Sequence, residues 1–130
     1  MLQGHRSMPI LSVKDVGKST DFFTNGLGFS CAGNWRDEDD TPSFAIVVLD
    51  RITIALRLAR EINNTEAWAA YLYVEDLEAY VAQVTGSGVK LASKVTDKPY
   101  GCREIEIADP DGNILCFGQD LLPGENGPGL

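Results

Sequence analysis

Val13-Lys14-Asp15-Val16 leading to Gly26-Leu27-Gly28-Phe29, and Val74-Glu75-Asp76-Leu77 leading to Gly86-Ser87-Gly88-Val89, are two copies of one pattern. The copies begin 61 residues apart (13 to 74) and end 60 apart (26 to 86). In each, an aspartate stands where a helix N-cap is wanted, because its carboxylate can take an orphan backbone N–H of the first turn. In each, a glycine pair stands where the helix must stop. A repeat of this length sets the architecture before any single element does. The first copy predicts a helix carrying Val16, Thr20, Phe22 and Phe23. The second predicts one carrying Leu77, Tyr80, Val81 and Val84 at helical spacing.

Strand signals flank both helices. Ile52, Ile54, Leu56 and Leu58 alternate with Arg51, Thr53, Ala55 and Arg57, a period of two that marks a strand. Further strands are predicted at 8–13, 29–32 and 44–49 in the first half, and at 68–74, 89–91, 103–108 and 114–117 in the second. Loops are predicted at 35–42, 61–65 and 96–101. Asp109-Pro110-Asp111-Gly112-Asn113 is a turn, with proline fixing φ and glycine accepting positive φ. The sum is an α+β fold: two βαβββ halves forming curved mixed sheets with the helices on one side. One domain is predicted over 8–119, from halves at about 8–60 and 67–119. Residues 1–7 read as a leader, and 120–130, ending in the Gly- and Pro-rich PGENGPGL, as a flexible tail.

Composition narrows the partners. A formal net charge of -8 argues against nucleic acid and favours a cationic small ligand. No apolar run approaches the ~20 residues of a membrane helix, and 1–7 lacks the apolar segment of a secretory signal. Cys31, Cys102 and Cys116 are odd in number and widely spaced, which predicts free thiols and the cytoplasm. His5 is the chain's one histidine, so neither a multi-histidine metal site nor a Ser-His-Asp or Cys-His centre can be built within the chain.

Pro99-Tyr100-Gly101-Cys102-Arg103-Glu104, followed by Asp109-Pro110-Asp111-Gly112-Asn113, resembles the P-(W/Y)-G-x-R-E…DP-x-GN hairpin of bleomycin-resistance proteins. Pro9-Ile10-Leu11 with Asp15, Phe22-Phe23 and Leu27-Gly28-Phe29 is similar to the opening of the same group. The likeness to the glyoxalase, bleomycin-resistance and extradiol dioxygenase superfamily, also known as the vicinal-oxygen-chelate superfamily, runs from about Met8 to Gln119. Enzymes of that superfamily bind a divalent metal on strand histidines and glutamates. The positions that match those ligands hold Met8, Ala69 and Cys116, which do not make a set for a hard or borderline cation. Neither metal nor cofactor is therefore expected. Cys116 reads as a small apolar strand residue.

The resemblance then implies a binding protein: a homodimer exchanging an N-terminal arm, with an aromatic ligand stacked in a cleft between subunits. By match to the group's aromatics, Tyr71, Tyr73, Tyr100 and Phe44 are the ligand-binding candidates, with Trp35, Trp68, Arg57 and Cys102 beside them. Phe44 and Tyr73 can equally fill the core, and Arg57 can cover the sheet with its stem. Arg103 reads as the partner of a carboxylate that holds the hairpin. The function expected is metal-independent sequestration of an aromatic, cationic antibiotic or metabolite. One alternative is a lyase, isomerase or dioxygenase-like enzyme with a non-standard site, using Glu104 or Glu106 as a base, although alternating strand carboxylates ordinarily face solvent. Another is a regulatory or immunity-type module that meets a protein through the acidic run 37–40.

Overall fold

Asp15 and Asp76 cap their helices in nearly the same way. Asp15 (φ -143, ψ 104) accepts the Lys18 N–H at 3.0 Å, and Asp76 (φ -137, ψ 97) accepts that of Ala79 at 3.1 Å. The structure is a computed structural model and describes residues 1–121. The chain divides into two compact units, with the boundary between Asn63 and Asn64.

In the first unit, β1 (Ile10–Val13) leads to α1 (Val16–Asp21), which runs into a π-helical turn over Phe22–Gly26. Thr20 and Thr24 hydroxyls donate to the carbonyls of Val16 (2.7 Å) and Thr20 (2.9 Å), competing with the backbone ladder where it widens. The wider turn seats Phe23, fully buried and edge-on to both Phe22 and Phe29. Gly28 (φ 79) then redirects the chain. β2 (Ser30–Arg36), β3 (Pro42–Leu49) and β4 (Ile52–Leu58) complete a sheet of order β1-β4-β3-β2, with β1 parallel to β4 and the other pairs antiparallel. Leu11, Val13, Ala45, Val47, Ile54 and Leu56 line the face that meets α1.

The second unit repeats this order. β5 (Trp68–Tyr73) leads to α2 (Leu77–Gly86), then β6 (Thr96–Asp97), β7 (Cys102–Ala108) and β8 (Ile114–Asp120), in the order β5-β8-β7-β6 with β5 parallel to β8. Leu72, Ile105, Ile107, Leu115 and Phe117 form its apolar face, met by Leu77, Tyr80 and Val84 of α2. The Tyr80 and Phe117 rings lie 4.9 Å apart. Arg103 forks onto Asp97 (2.7 and 3.2 Å) and reaches Glu78 (3.1 Å), tying β7 to β6 and to α2, the carboxylate pairing expected of it. Asp109 is buried in the turn before β8 and accepts the N–H groups of Asp111 (3.0 Å) and Asn113 (2.7 Å).

The α+β fold of two βαβββ halves is thus as expected, with three local corrections. Residues 89–91 form no strand, because the Val89 N–H is committed to the Val84 carbonyl at 3.1 Å as part of the helix end. The missing strand is β6, inside the predicted loop 96–101, where Thr96 pairs with Glu104 and Asp97 with Arg103. The loop predicted over 35–42 is shorter. Trp35, Arg36 and Pro42 join strands, and Asp37 closes a turn by accepting from Asp39 (2.9 Å) and Thr41 (3.0 Å). β1, the strand an exchanged arm would carry, pairs with β4 of its own chain. Of the tail expected at 120–130, residues 122–130 lie outside the described residues.

Candidate functional site

Alternation on β7 puts Cys102, Glu104 and Glu106 on the face opposite Ile105 and Ile107, away from α2. The register brings Tyr71, Cys116 and Glu106 into one row, and Tyr73, Gly118 and Glu104 into the next. Phe117 and Leu115 point the other way, so beyond Ile114 at its start β8 offers this face only small or polar groups: Cys116, Gly118 and Asp120.

The aromatic side chains of β5 lean across that strand. Trp68, Tyr71 and Tyr73 form a chain of ring contacts, with centroids 5.4 Å and 4.8 Å apart. The Trp68 Nε1–H donates to Glu106 Oε2 at 2.6 Å, and the Tyr71 hydroxyl donates to Glu104 Oε2 at 2.8 Å. Tyr100, on the turn before β7, donates its hydroxyl to the same Oε2. Tyr71 can cross because residue 118 is glycine. A Cβ there would overlap its hydroxyl and stand 2.5 Å from Cζ. The tyrosines cover Glu104, which is only 3% exposed, and leave its Oε1 buried with no hydrogen-bond partner. The expectation that the β7 carboxylates face solvent is therefore wrong for Glu104. Sheet alternation assigns a face but says nothing of what lies over it.

The electrostatics follow from this packing. Burial pushes the Tyr71 hydroxyl well above the usual tyrosine range, with hydrogen bonds to Cys102 and Glu104 adding to the shift. Burial and Glu104 do the same to Tyr100. Both phenols therefore keep their protons at neutral pH and act as donors. Burial, then the carboxylate of Glu104, pushes the Cys116 thiol up to about 12. Burial raises Cys102 too, and its thiol meets Asp120 Oδ1 at 3.4 Å. Cys31 is exposed, whereas Cys102 and Cys116 are buried. Iodoacetamide near neutral pH should accordingly add one label to the native chain, at Cys31. The other two thiols should react only after unfolding, as counted by mass spectrometry. Rapid native labelling of Cys116 would contradict this geometry.

Five of the eight candidates thus lie on the second unit: Trp68, Tyr71, Tyr73, Tyr100 and Cys102. The other three form a row on the open face of the first sheet, where Trp35 pairs with Phe44, Phe44 with Arg57, and Arg57 with Ser12. Trp35 folds back over Gly33 to put its ring 5.8 Å from Phe44, and Arg57 Nη2 donates to Ser12 Oγ at 3.3 Å. Phe44 and Tyr73 lie outside the two apolar cores. Gly118 is not among the expected site residues, and Glu104 is among them only as the base of the enzymatic alternative. The signal for them is a glycine on the strand beside an aromatic-rich one, with a carboxylate in register beyond it. Met8, Ala69 and Cys116 supply a thioether, a methyl and a thiol where the superfamily's enzymes place metal ligands, and that donor set does not fit their divalent cation. Among the described residues no three His, Cys, Asp or Glu side chains are grouped to hold a metal ion, and no helix is long and apolar enough to cross a membrane.

Comparison with known proteins places this geometry. A glyoxalase-related enzyme from Clostridium phytofermentans superposes with a TM-score of 0.78 at 23% identity, covering 92% of this chain and 97% of that one. The bleomycin resistance determinant encoded on the transposon Tn5 gives 0.74 at 20%, covering 92% and 100%. TnmS3, an antibiotic binding protein from Streptomyces sp. CB03234, gives 0.73 at 21%, covering 92% and 98%. At these identities the likeness establishes the fold. No curated protein matches the sequence. The model of the Glyoxalase/Bleomycin resistance protein/Dioxygenase superfamily matches residues 5–117, and with that span the chain belongs to this superfamily.

Proposed function

We propose that the chain is a metal-independent binding protein that sequesters an aromatic, cationic small molecule, an antibiotic or a metabolite, on the polar–aromatic face of its second sheet. The observation that carries this reading is the ring array Trp68–Tyr71–Tyr73 set beside three carboxylates, Glu104, Glu106 and Asp120. Trp68, Tyr73 and Tyr100 each keep about 42–43% of their surface open, so flat apolar area is available for stacking. The carboxylates supply a field that favours a cation. The antibiotic-binding and bleomycin-resistance proteins of the same fold support the ligand class by analogy.

The test is a calorimetric titration with metal-free bleomycin and a panel of planar cations, with Trp and Tyr fluorescence as a second readout. Saturable binding with one ligand per chain is expected. Tyr71→Ala should weaken it roughly tenfold to a hundredfold, the usual worth of one ring stacked on a planar ligand. Failure of every compound would remove the sequestration reading. As parts of the same proposal, the chain is a homodimer in the cytoplasm, for which the resemblance and the free thiols are the support. Sedimentation at the mass of a single chain would remove the dimer.

The buried Glu104 also gives the enzymatic alternative a specific footing, since a carboxylate shielded from water is a plausible proton acceptor. Turnover of a bound ligand, abolished by Glu104→Gln without loss of binding, would favour that second reading.

A further inference from the structure

We propose that Glu104 is the specificity-determining anchor of this face, and that it selects planar cations bearing N–H donors over permanently charged rings that have none. The inference rests on reading the face as a small-molecule site. The two oxygens of this carboxylate are treated differently. Oε2 takes both tyrosine hydroxyls, from Tyr71 at 2.8 Å and from Tyr100. Oε1 is buried with no hydrogen-bond partner. The Cys116 thiol lies close enough to Glu104 for a weak S–H···O contact to raise it, but a thiol is a feeble donor and leaves Oε1 without a full hydrogen bond.

Among the described residues no cation is ion-paired with the group. Among the described residues the ion pairs are Arg36–Asp40, Arg103–Glu78 and Arg103–Asp97, and none includes Glu104, Glu106 or Asp120. Lys98 is near enough to act on Cys116 but makes no such pair. A buried acceptor left open and a charge left unpaired are both unfavourable. One incoming group relieves both: a protonated nitrogen that carries a hydrogen. A quaternary nitrogen relieves the charge alone.

The route in is through Tyr100. It sits on a turn and is 43% exposed, whereas Tyr71 is held over Gly118 between the rings of Trp68 and Tyr73. The Tyr100 side chain moves aside, and the bound N–H takes the open Oε1 while Tyr71 stays on Oε2.

The experiment uses three probes on the full chain: 9-aminoacridine, a planar cation with N–H donors; 10-methylacridinium, a planar cation without them; and acridine above its own pKa, neutral. Calorimetry on the native protein should show 9-aminoacridine bound about tenfold or more tighter than 10-methylacridinium, the worth of a hydrogen bond to a charged group. Glu104→Gln should remove that preference. Tyr100→Phe keeps the ring, removes one of the two donors that satisfy Oε2 and should widen the preference. Equal affinities for the two cations in the native protein would overturn the anchor while leaving the binding reading intact. So would a preference that survives Glu104→Gln in a folded variant. If Glu104→Gln does not fold by circular dichroism, the Tyr100→Phe ratio decides, and an unchanged ratio overturns the proposal. Failure of all three probes to bind overturns the anchor and the sequestration reading together.

Discussion

Phe117→Ala is expected to destabilise the chain by about 3–5 kcal/mol, the usual cost of truncating a buried aromatic in a core that collapses only in part. Phe117 is fully buried, pairs with Leu72 and Ile105 across the sheet, and stacks on Tyr80 of α2. It is also the β8 residue between Cys116 and Gly118, so the helix it holds sets the plane on which the candidate site lies. Against a total stability of about 5–15 kcal/mol, the loss takes a large share. Urea unfolding followed by circular dichroism checks it. A midpoint within error of the native chain would mean that α2 does not depend on this contact.

Gly118→Ala is the second large effect, and it separates packing from binding. The added Cβ cannot share space with the Tyr71 ring, so Tyr71 must leave its place above β8 and release Glu104. Removing one partner from a buried carboxylate should cost about 1–3 kcal/mol of stability. The ring also leaves the array with Trp68 and Tyr73, so affinity for planar cations should fall roughly as far as in Tyr71→Ala. The cycle is informative because the two changes act on one contact. Gly118→Ala added to Tyr71→Ala should weaken binding little further, the non-additivity expected of touching residues. Full additivity would place the effect of residue 118 elsewhere in β8.

The parts legible in the sequence are those set by local chemistry. Asp15 and Asp76 announce their caps because an N-cap is a short-range bond. The period of two in 51–58 announces β4 because one face of that strand turns to the core, with Ile54 and Leu56 fully buried at its centre. β6 is misplaced because two residues carry no period, and its pairing with Arg103 and Glu104 is made across a loop. The aromatics of the second sheet are legible by type and by match to a family pattern. Their convergence on Glu104 is not, because it depends on register between strands far apart in sequence and on a glycine that does nothing locally unusual. The row Trp35, Phe44, Arg57 and Ser12 is hidden for the same reason: each residue reads singly, and only the register aligns them.

Mapping backbone amide shifts by ¹H–¹⁵N NMR while adding 9-aminoacridine tests the central claim most directly. The expected result is a saturable set of shifts centred on Tyr71, Tyr73, Cys102, Glu104, Cys116 and Gly118, the residues of one face of the second sheet. Saturable binding whose shifts fall instead on 33–36 and 44–46 of the first sheet, or no shift at any ratio, would contradict it.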